Sequence, residues 1–151
     1  MDQYNENEKL LDKHMVGTVV VACIDFRFRA QLQKALLEAC GVSDYDLIKL
    51  AGGAKNISSP DKDARREIVF DDIALALRAH HANKIILLNH QNCGKYASEG
   101  HVFADSAAEK IFHEQELRRA GELATSQFGG TEIVLGYVWV GDNDKVAISL
   151  V

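Results

Sequence analysis

The apolar positions of the chain follow two periods in turn. Thr18-Val19-Val20-Val21-Ala22 and Lys84-Ile85-Ile86-Leu87-Leu88 are near-continuous apolar runs, the pattern of strands buried on both faces, and they predict strands at 17–24 and 84–89. Between them Leu32, Ala35, Leu36 and Ala39 recur at helical spacing, predicting a helix from Arg29 to Cys40 that stops at Gly41. Asp46 to Leu50 reads as a further strand. It ends in Ala51-Gly52-Gly53-Ala54, whose glycines permit a sharp turn or a close approach of backbone to a ligand. The stretch from Lys55 to Asp63 is polar and holds the only proline. Ser59-Pro60 suits a helix start, and Ile68, Ile73, Leu75 and Leu77 carry that helix to about His81.

A Gly-rich polar loop is expected from Gln91 to about Asp105, then a long helix from Ser106 to about Phe128, stopped by Gly129-Gly130. Glu132 to Val140, the turn Gly141-Asp142-Asn143-Asp144, and Lys145 to Val151 read as a terminal hairpin. Strands alternating with helices imply an α/β fold: a mostly parallel central sheet, helices on both faces, and one antiparallel C-terminal strand. Residues 1–16 are polar apart from Leu10, Leu11 and Met15 and read as an N-terminal arm, leaving 17–151 as one domain.

Composition narrows the classes. The chain's 151 residues suffice for a core without disulfide staples. A net charge of -5 with no basic block offers nothing to nucleic acid or to an anionic membrane. The apolar runs are too short to span a bilayer, and the polar start after Met1 lacks a signal-peptide pattern, so a cytoplasmic location is expected. Three cysteines, an odd count, then suggest reduced thiols.

Chemistry concentrates where the strands end. Side chains of an extended strand alternate, so Cys23, Asp25 and Arg27 are expected on one face, with Ile24, Phe26 and Phe28 on the other. The third strand closes on Asn89-His90-Gln91-Asn92-Cys93-Gly94. If the two strands are neighbours, two thiols and an imidazole meet, the donor set of a catalytic zinc site with its fourth position open. His90-x-x-Cys93 can close on one metal from a single turn, Cys23 arrives from the adjacent strand, and Gly94 lets the chain turn after the last ligand. Two thiolates would offset the charge of Zn2+, so a bound water should be less acidic than in a three-histidine site. Asp25 could accept a hydrogen bond from that water or take the fourth position itself; pairing with Arg27 would hold it off the metal.

These motifs, Cys23-x-Asp25-x-Arg27, Ala51-Gly52 and His90-x-x-Cys93-Gly94, resemble the signature of the β-class carbonic anhydrases. Leu135-Gly136-Tyr137-Val138, leading through an acidic turn to Ile148-Ser149-Leu150, is similar to that family's last hairpin, so the likeness spans roughly residues 17–151. The resemblance implies one zinc per subunit on Cys23, His90 and Cys93, and a catalytic dyad of Asp25 and Arg27. It also implies a pocket near Gly52, Gly53 and Gly94, reversible hydration of carbon dioxide to bicarbonate by a metal-bound hydroxide, and a homodimer or higher homo-oligomer. Leu50 and Gly53 stand where the family has Asn, and Gln91 where it has Thr or Ser. Relatives on this scaffold hydrolyse carbonyl sulfide or carbon disulfide.

Other readings compete. Cys23 to Arg29 also fits a Cys-x5-Arg phosphatase loop, but Ile24 to Phe28 is bulky, lacks glycine and carries a carboxylate that repels phosphate. A non-catalytic zinc protein, with Asp25 permanently closing the site, is the other alternative. Cys40 is expected to be structural, and His80, His81, His101 and His113 to be solvated.

Overall fold

The computed structural model of the protein describes residues 9–151. The first half of the expected arm therefore lies outside the described residues; within the remainder, Leu10–Asp12 form one 3-10 turn whose leucines are exposed.

Five strands make one sheet in the order β2-β1-β3-β4-β5. They are β1 (Thr18–Ala22), β2 (Asp46–Lys49), β3 (Lys84–His90), β4 (Glu132–Val140) and β5 (Val146–Leu150). β1 pairs in parallel with both β2 and β3, with Val19 opposite Asp46 on one side and Ile85 on the other. β3 and β4 are parallel, whereas β5 returns antiparallel to β4 through a 3-10 turn at Asp142–Asp144. All five β1 residues are buried, as are six of the seven in β3, which accounts for their unbroken apolar character.

Two layers of helix cover the sheet. On one face α1 (Leu32–Cys40) presses Leu32, Ala35 and Leu36 against Val20, Ile86, Leu88 and Val146. Gly41 ends α1 in a left-handed conformation, its N–H donating to the Leu37 carbonyl. The opposite face carries α3 (Asp63–Ala79) and α5 (Ser106–Gln127), whose Ile73, Leu117 and Ala120 pack on Val19, Val21, Ile85 and Leu87. Asp105 starts α5 by accepting the Ala108 N–H at 2.8 Å.

Three expectations are corrected. The polar stretch after Ala54 contains a buried short helix, α2 (Lys55–Ser58). Two of its polar side chains have partners: Lys55 Nζ reaches Glu99, and the Asn56 amide donates to the carbonyls of Ala51 and Gly53. α3 consequently begins at Asp63 rather than at Ser59-Pro60. The loop after β3 also contains a short helix, α4 (Gly94–Ser98).

Candidate metal centre

The sheet order places the switch in winding direction at β1. The chain leaves β1 toward β2 across one face and returns past it to β3 across the other. Loops at the carboxyl ends of β1 and β3 thus diverge and open a crevice, the usual site position in such sheets. Cys23 directly follows β1, His90 is the last residue of β3, and Cys93 follows three residues later.

The sheet delivers the three donors to one point: Cys23 Sγ, Cys93 Sγ and a His90 ring nitrogen lie within 4.8 Å of one another. His90 is buried and its Nδ1 lies 2.7 Å from the Gln91 carbonyl oxygen, which can only accept. Nδ1 therefore carries the ring proton, and Nε2 presents a lone pair. That buried Nε2 has no hydrogen-bond partner. An orphaned imidazole nitrogen facing two thiols is the chemistry of a soft-metal site, so the donor set fits Zn2+.

Electrostatics favour the ligating form of Cys23. A hydrogen bond from Cys93 lowers its thiol pKa most, helped by His90 and by the Gly52 N–H at 3.3 Å, against burial. The same shared bond, with burial, pushes Cys93 up. One thiolate forms readily, and the second forms when a cation arrives to hold it.

β1 stops at Ala22, so the alternation expected through Arg27 does not rest on a continuous strand; residues 26–31 turn instead. Asp25 and Arg27 nevertheless share a side. Arg27 Nε donates to Asp25 Oδ1 at 3.0 Å and Nη2 to Oδ2 at 2.7 Å, a bidentate clamp, while the Arg27 backbone N–H also reaches Oδ1 at 3.0 Å. The Arg27 side-chain bond is the main reason the Asp25 carboxyl falls to about 2, so it is ionised at neutral pH. Its Oδ2 stands 3.7 Å from His90 Nε2. Ile24 and Phe26 point away from the core, 60% and 82% exposed, whereas Phe28 is buried with its ring centroid 4.6 Å from that of His90.

Each predicted glycine has a distinct setting. Gly53 has φ +54°, and a Cβ there would sit 2.4 Å from the Leu88 carbonyl oxygen, so the loop is wedged between the ends of β1 and β3. Gly52 supplies the N–H facing Cys23. Gly94 opens α4, with free space where a Cβ would be. A cavity of about 20 Å³ lies against Cys23 and His90, walled by Ala22, Phe28, Leu88 and Val138. A larger one, about 360 Å³, opens beside Cys93, Asn92, His101 and Glu109.

Residues the sequence did not mark also shape the site. Asn92 accepts from Arg27 through Oδ1 and its carbonyl, and Gln91 Oε1 accepts the Val140 N–H. His113, expected in solvent, is fully buried, its ring stacked on Tyr137 and edge-on to Tyr96. Burial is the main cause lowering its pKa, to about 4, so His113 is neutral and its 3.8 Å approach to Glu109 is not an ion pair. Arg29 is exposed and lies before α1 rather than opening it, leaving the phosphatase reading without its anion cradle. Cys40 packs against the core under α1, as expected. His80 is exposed but paired with Asp46 at 2.8 Å.

The architecture is that of the β-carbonic anhydrases. A solved β-carbonic anhydrase isoform from Trichomonas vaginalis superposes with TM-score 0.57 at 13% identity, covering 95% of this chain and 87% of that one. A carbonic anhydrase from Streptococcus mutans also gives 0.57, at 17% identity over 90% and 82%. The sequence matches the family described as "Putative carbonic anhydrase" over residues 13–150, and the chain belongs to that family. Two uncharacterized proteins are similar: one of Rickettsia conorii, 26% identical over 60% of this chain and 48% of its own length, and one of Rickettsia bellii, 25% identical over 59% and 54%. The chain thus spans about half the length of these relatives. Among the described residues, no helix is long and apolar enough to cross a membrane.

Proposed function

We propose that the protein catalyses reversible hydration of carbon dioxide to bicarbonate, with one zinc ion held by Cys23, His90 and Cys93. The observation that carries this reading is the buried, unpartnered His90 Nε2, facing two thiols on one side and the Asp25 carboxylate 3.7 Å away on the other. Zinc, when bound, supplies a Lewis acid that makes a coordinated water more acidic. The chain's own groups do the rest. The Gln91 carbonyl fixes the tautomer and aim of His90. Asp25, kept ionised and clamped by Arg27, can only accept, so it orients an O–H toward itself. Arg27 also keeps Asp25 from swinging into the fourth position. The small cavity against Cys23 and His90, walled largely by Ala22, Phe28, Leu88 and Val138, suits a small nonpolar molecule.

A second copy of the chain is the partner proposed to cover Ile24 and Phe26, whose exposure beside Asp25 suits a homodimer or higher homo-oligomer. Three free thiols support a reducing, cytoplasmic location.

The deciding experiment is stopped-flow hydration of carbon dioxide from neutral to alkaline pH, on protein of known zinc content. Activity that rises with pH and vanishes on chelation supports the proposal. Full zinc with no hydration at any pH overturns it. That outcome favours either carbonyl sulfide or carbon disulfide as substrate, which the small cavity also suits, or a closed site. The closed reading has its own support in the nearness of Asp25 Oδ2 to His90 Nε2.

A further inference from the structure

Arg27 is the weak point of the arrangement just described, because its side chain is 46% exposed and packing alone does not hold it. What holds it is Asn92. Nη1 donates to Asn92 Oδ1 at 3.0 Å and Nη2 to the Asn92 carbonyl at 2.9 Å, so the guanidinium is gripped by Asp25 on one edge and Asn92 on the other. Asn92 can offer both oxygens because its backbone is left-handed, φ +58°, a conformation that asparagine tolerates but does not prefer to the extended or right-handed regions.

The neighbours of Asn92 are anchored elsewhere. Gln91 is tied to β4 at both ends, its N–H to the Val138 carbonyl and its Oε1 to the Val140 N–H. The Cys93 carbonyl accepts the Ala97 N–H and so starts α4. The peptide N–H of Asn92 itself has a different anchor: it donates at 2.8 Å to Oε2 of Glu109, on the first turn of α5. Glu109 is 9% exposed, so this is a charge-assisted bond sheltered from water.

We propose that Glu109 is a positioning residue for the Asp25–Arg27 pair, acting through Asn92. The proposal rests on the hydration reading for its catalytic consequence, and on geometry alone for its structural one. Without the carboxylate, the Asn92 peptide loses the bond that compensates its backbone, its oxygens turn away from Arg27, and the guanidinium is left with Asp25 only. Asp25 then gains freedom to move relative to His90, while Cys23, His90 and Cys93 keep their own supports.

The test compares Glu109→Ala with Glu109→Gln, whose amide oxygen can still accept the Asn92 N–H. The first readout needs no turnover: exchange with water of the Arg27 Nη1 protons, which face Asn92 Oδ1, followed by nitrogen-15 NMR on the whole chain and assigned by their loss in Arg27→Lys. Loss of the Nη1 hydrogen bond to Asn92, of ordinary net strength, predicts about tenfold faster Nη1–H exchange in Glu109→Ala, with Glu109→Gln close to the wild type. The second readout is kinetic: in Glu109→Ala, kcat for hydration falls by about tenfold with KM and zinc content kept, and adding the change to Arg27→Ala costs nothing further. Unchanged Nη1–H exchange in Glu109→Ala, or losses that add in the double variant, overturn the proposal. Should Glu109→Ala not fold, Glu109→Met, which fills the same space without an acceptor for the Asn92 N–H, takes its place; faster Nη1–H exchange there and not in Glu109→Gln supports the proposal, and wild-type exchange overturns it. A wild type that hydrates no carbon dioxide sinks the hydration reading, and the NMR comparison then decides the role of Glu109 by itself.

Discussion

His90 Nδ1 and the Gln91 carbonyl oxygen, 2.7 Å apart, settle which nitrogen of the buried ring faces the two cysteines. Because that nitrogen has no protein partner, the site depends on all three donors together. Cys93→Ser replaces a soft thiolate with a hydroxyl and is expected to lower zinc affinity by more than about 100-fold, beyond what changing a supporting residue costs. Elemental analysis after dialysis against a weak chelator checks this; a variant that keeps one zinc per chain would remove Cys93 from the ligand set.

Arg27→Ala separates metal binding from turnover. The substitution removes the clamp on Asp25 without touching a donor atom, so zinc should stay while turnover drops by about 10²-fold or more, the scale for losing a preorganised polar group. Zinc content and hydration rate on the same sample decide the point. Unchanged turnover would take the pair out of the mechanism.

Gly53 and Gly41 both have positive φ, but only one is crowded. At Gly53 a Cβ would collide with the Leu88 carbonyl and sit 3.1 Å from the Cys23 nitrogen, whereas at Gly41 it would meet nothing. Gly53→Ala should therefore destabilise by about 3 kcal/mol or more, strain and overpacking combined. Gly41→Ala should cost only about 1 kcal/mol, for backbone strain alone. Urea unfolding of the two variants tests the contrast, and equal losses would contradict the wedged geometry.

Acid should weaken the fold through His113. Its native pKa, about 4, lies below the ordinary 6.5, so the unfolded chain takes up the proton first as pH falls. The stabilisation is complete above about pH 6.5, declines through the interval, and is fully lost below about pH 4. Burial is the main cause, with the charges of His90 and His101 adding to it. Between pH 7.5 and pH 5 this one group should account for a loss of about 2 kcal/mol, seen in urea midpoints. In His113→Phe, which keeps a ring against Tyr137, that slope should flatten. An unaltered slope would assign the acid sensitivity to other groups.

Much of the fold was legible because its signals are local. The runs at β1 and β3, the helical spacing of Leu32, Ala35 and Leu36, and Gly41 as a stop follow from rules that reach no further than a few residues. α2 escaped because Lys55, Asn56 and Ser58 look like surface; the burial of Lys55 and Asn56 rests on Glu99 and the Ala51 carbonyl, which only the folded chain brings near. His113 escaped in the same way. It sits in a polar helix, and the rings that shelter it, Tyr96 and Tyr137, come from α4 and β4. The three candidate donors could be read because they lie at or just beyond the ends of β1 and β3. Asn92 and Glu109 carried no such mark, since their bond spans 17 residues between a turn and a separate helix.

The sequence by itself determined the class of fold, the order of its strands and long helices, and the candidate donors Cys23, His90 and Cys93, because hydrophobic periodicity and motif spacing are written along the chain. The tertiary structure alone decided that β1 lies between β2 and β3, so that the donors converge. It also decided that Arg27 holds Asp25 rather than leaving it free, and that Glu109 reaches across to hold Asn92. Distances and hydrogen-bond directions of this kind depend on how separate elements pack, which no local pattern of side chains encodes.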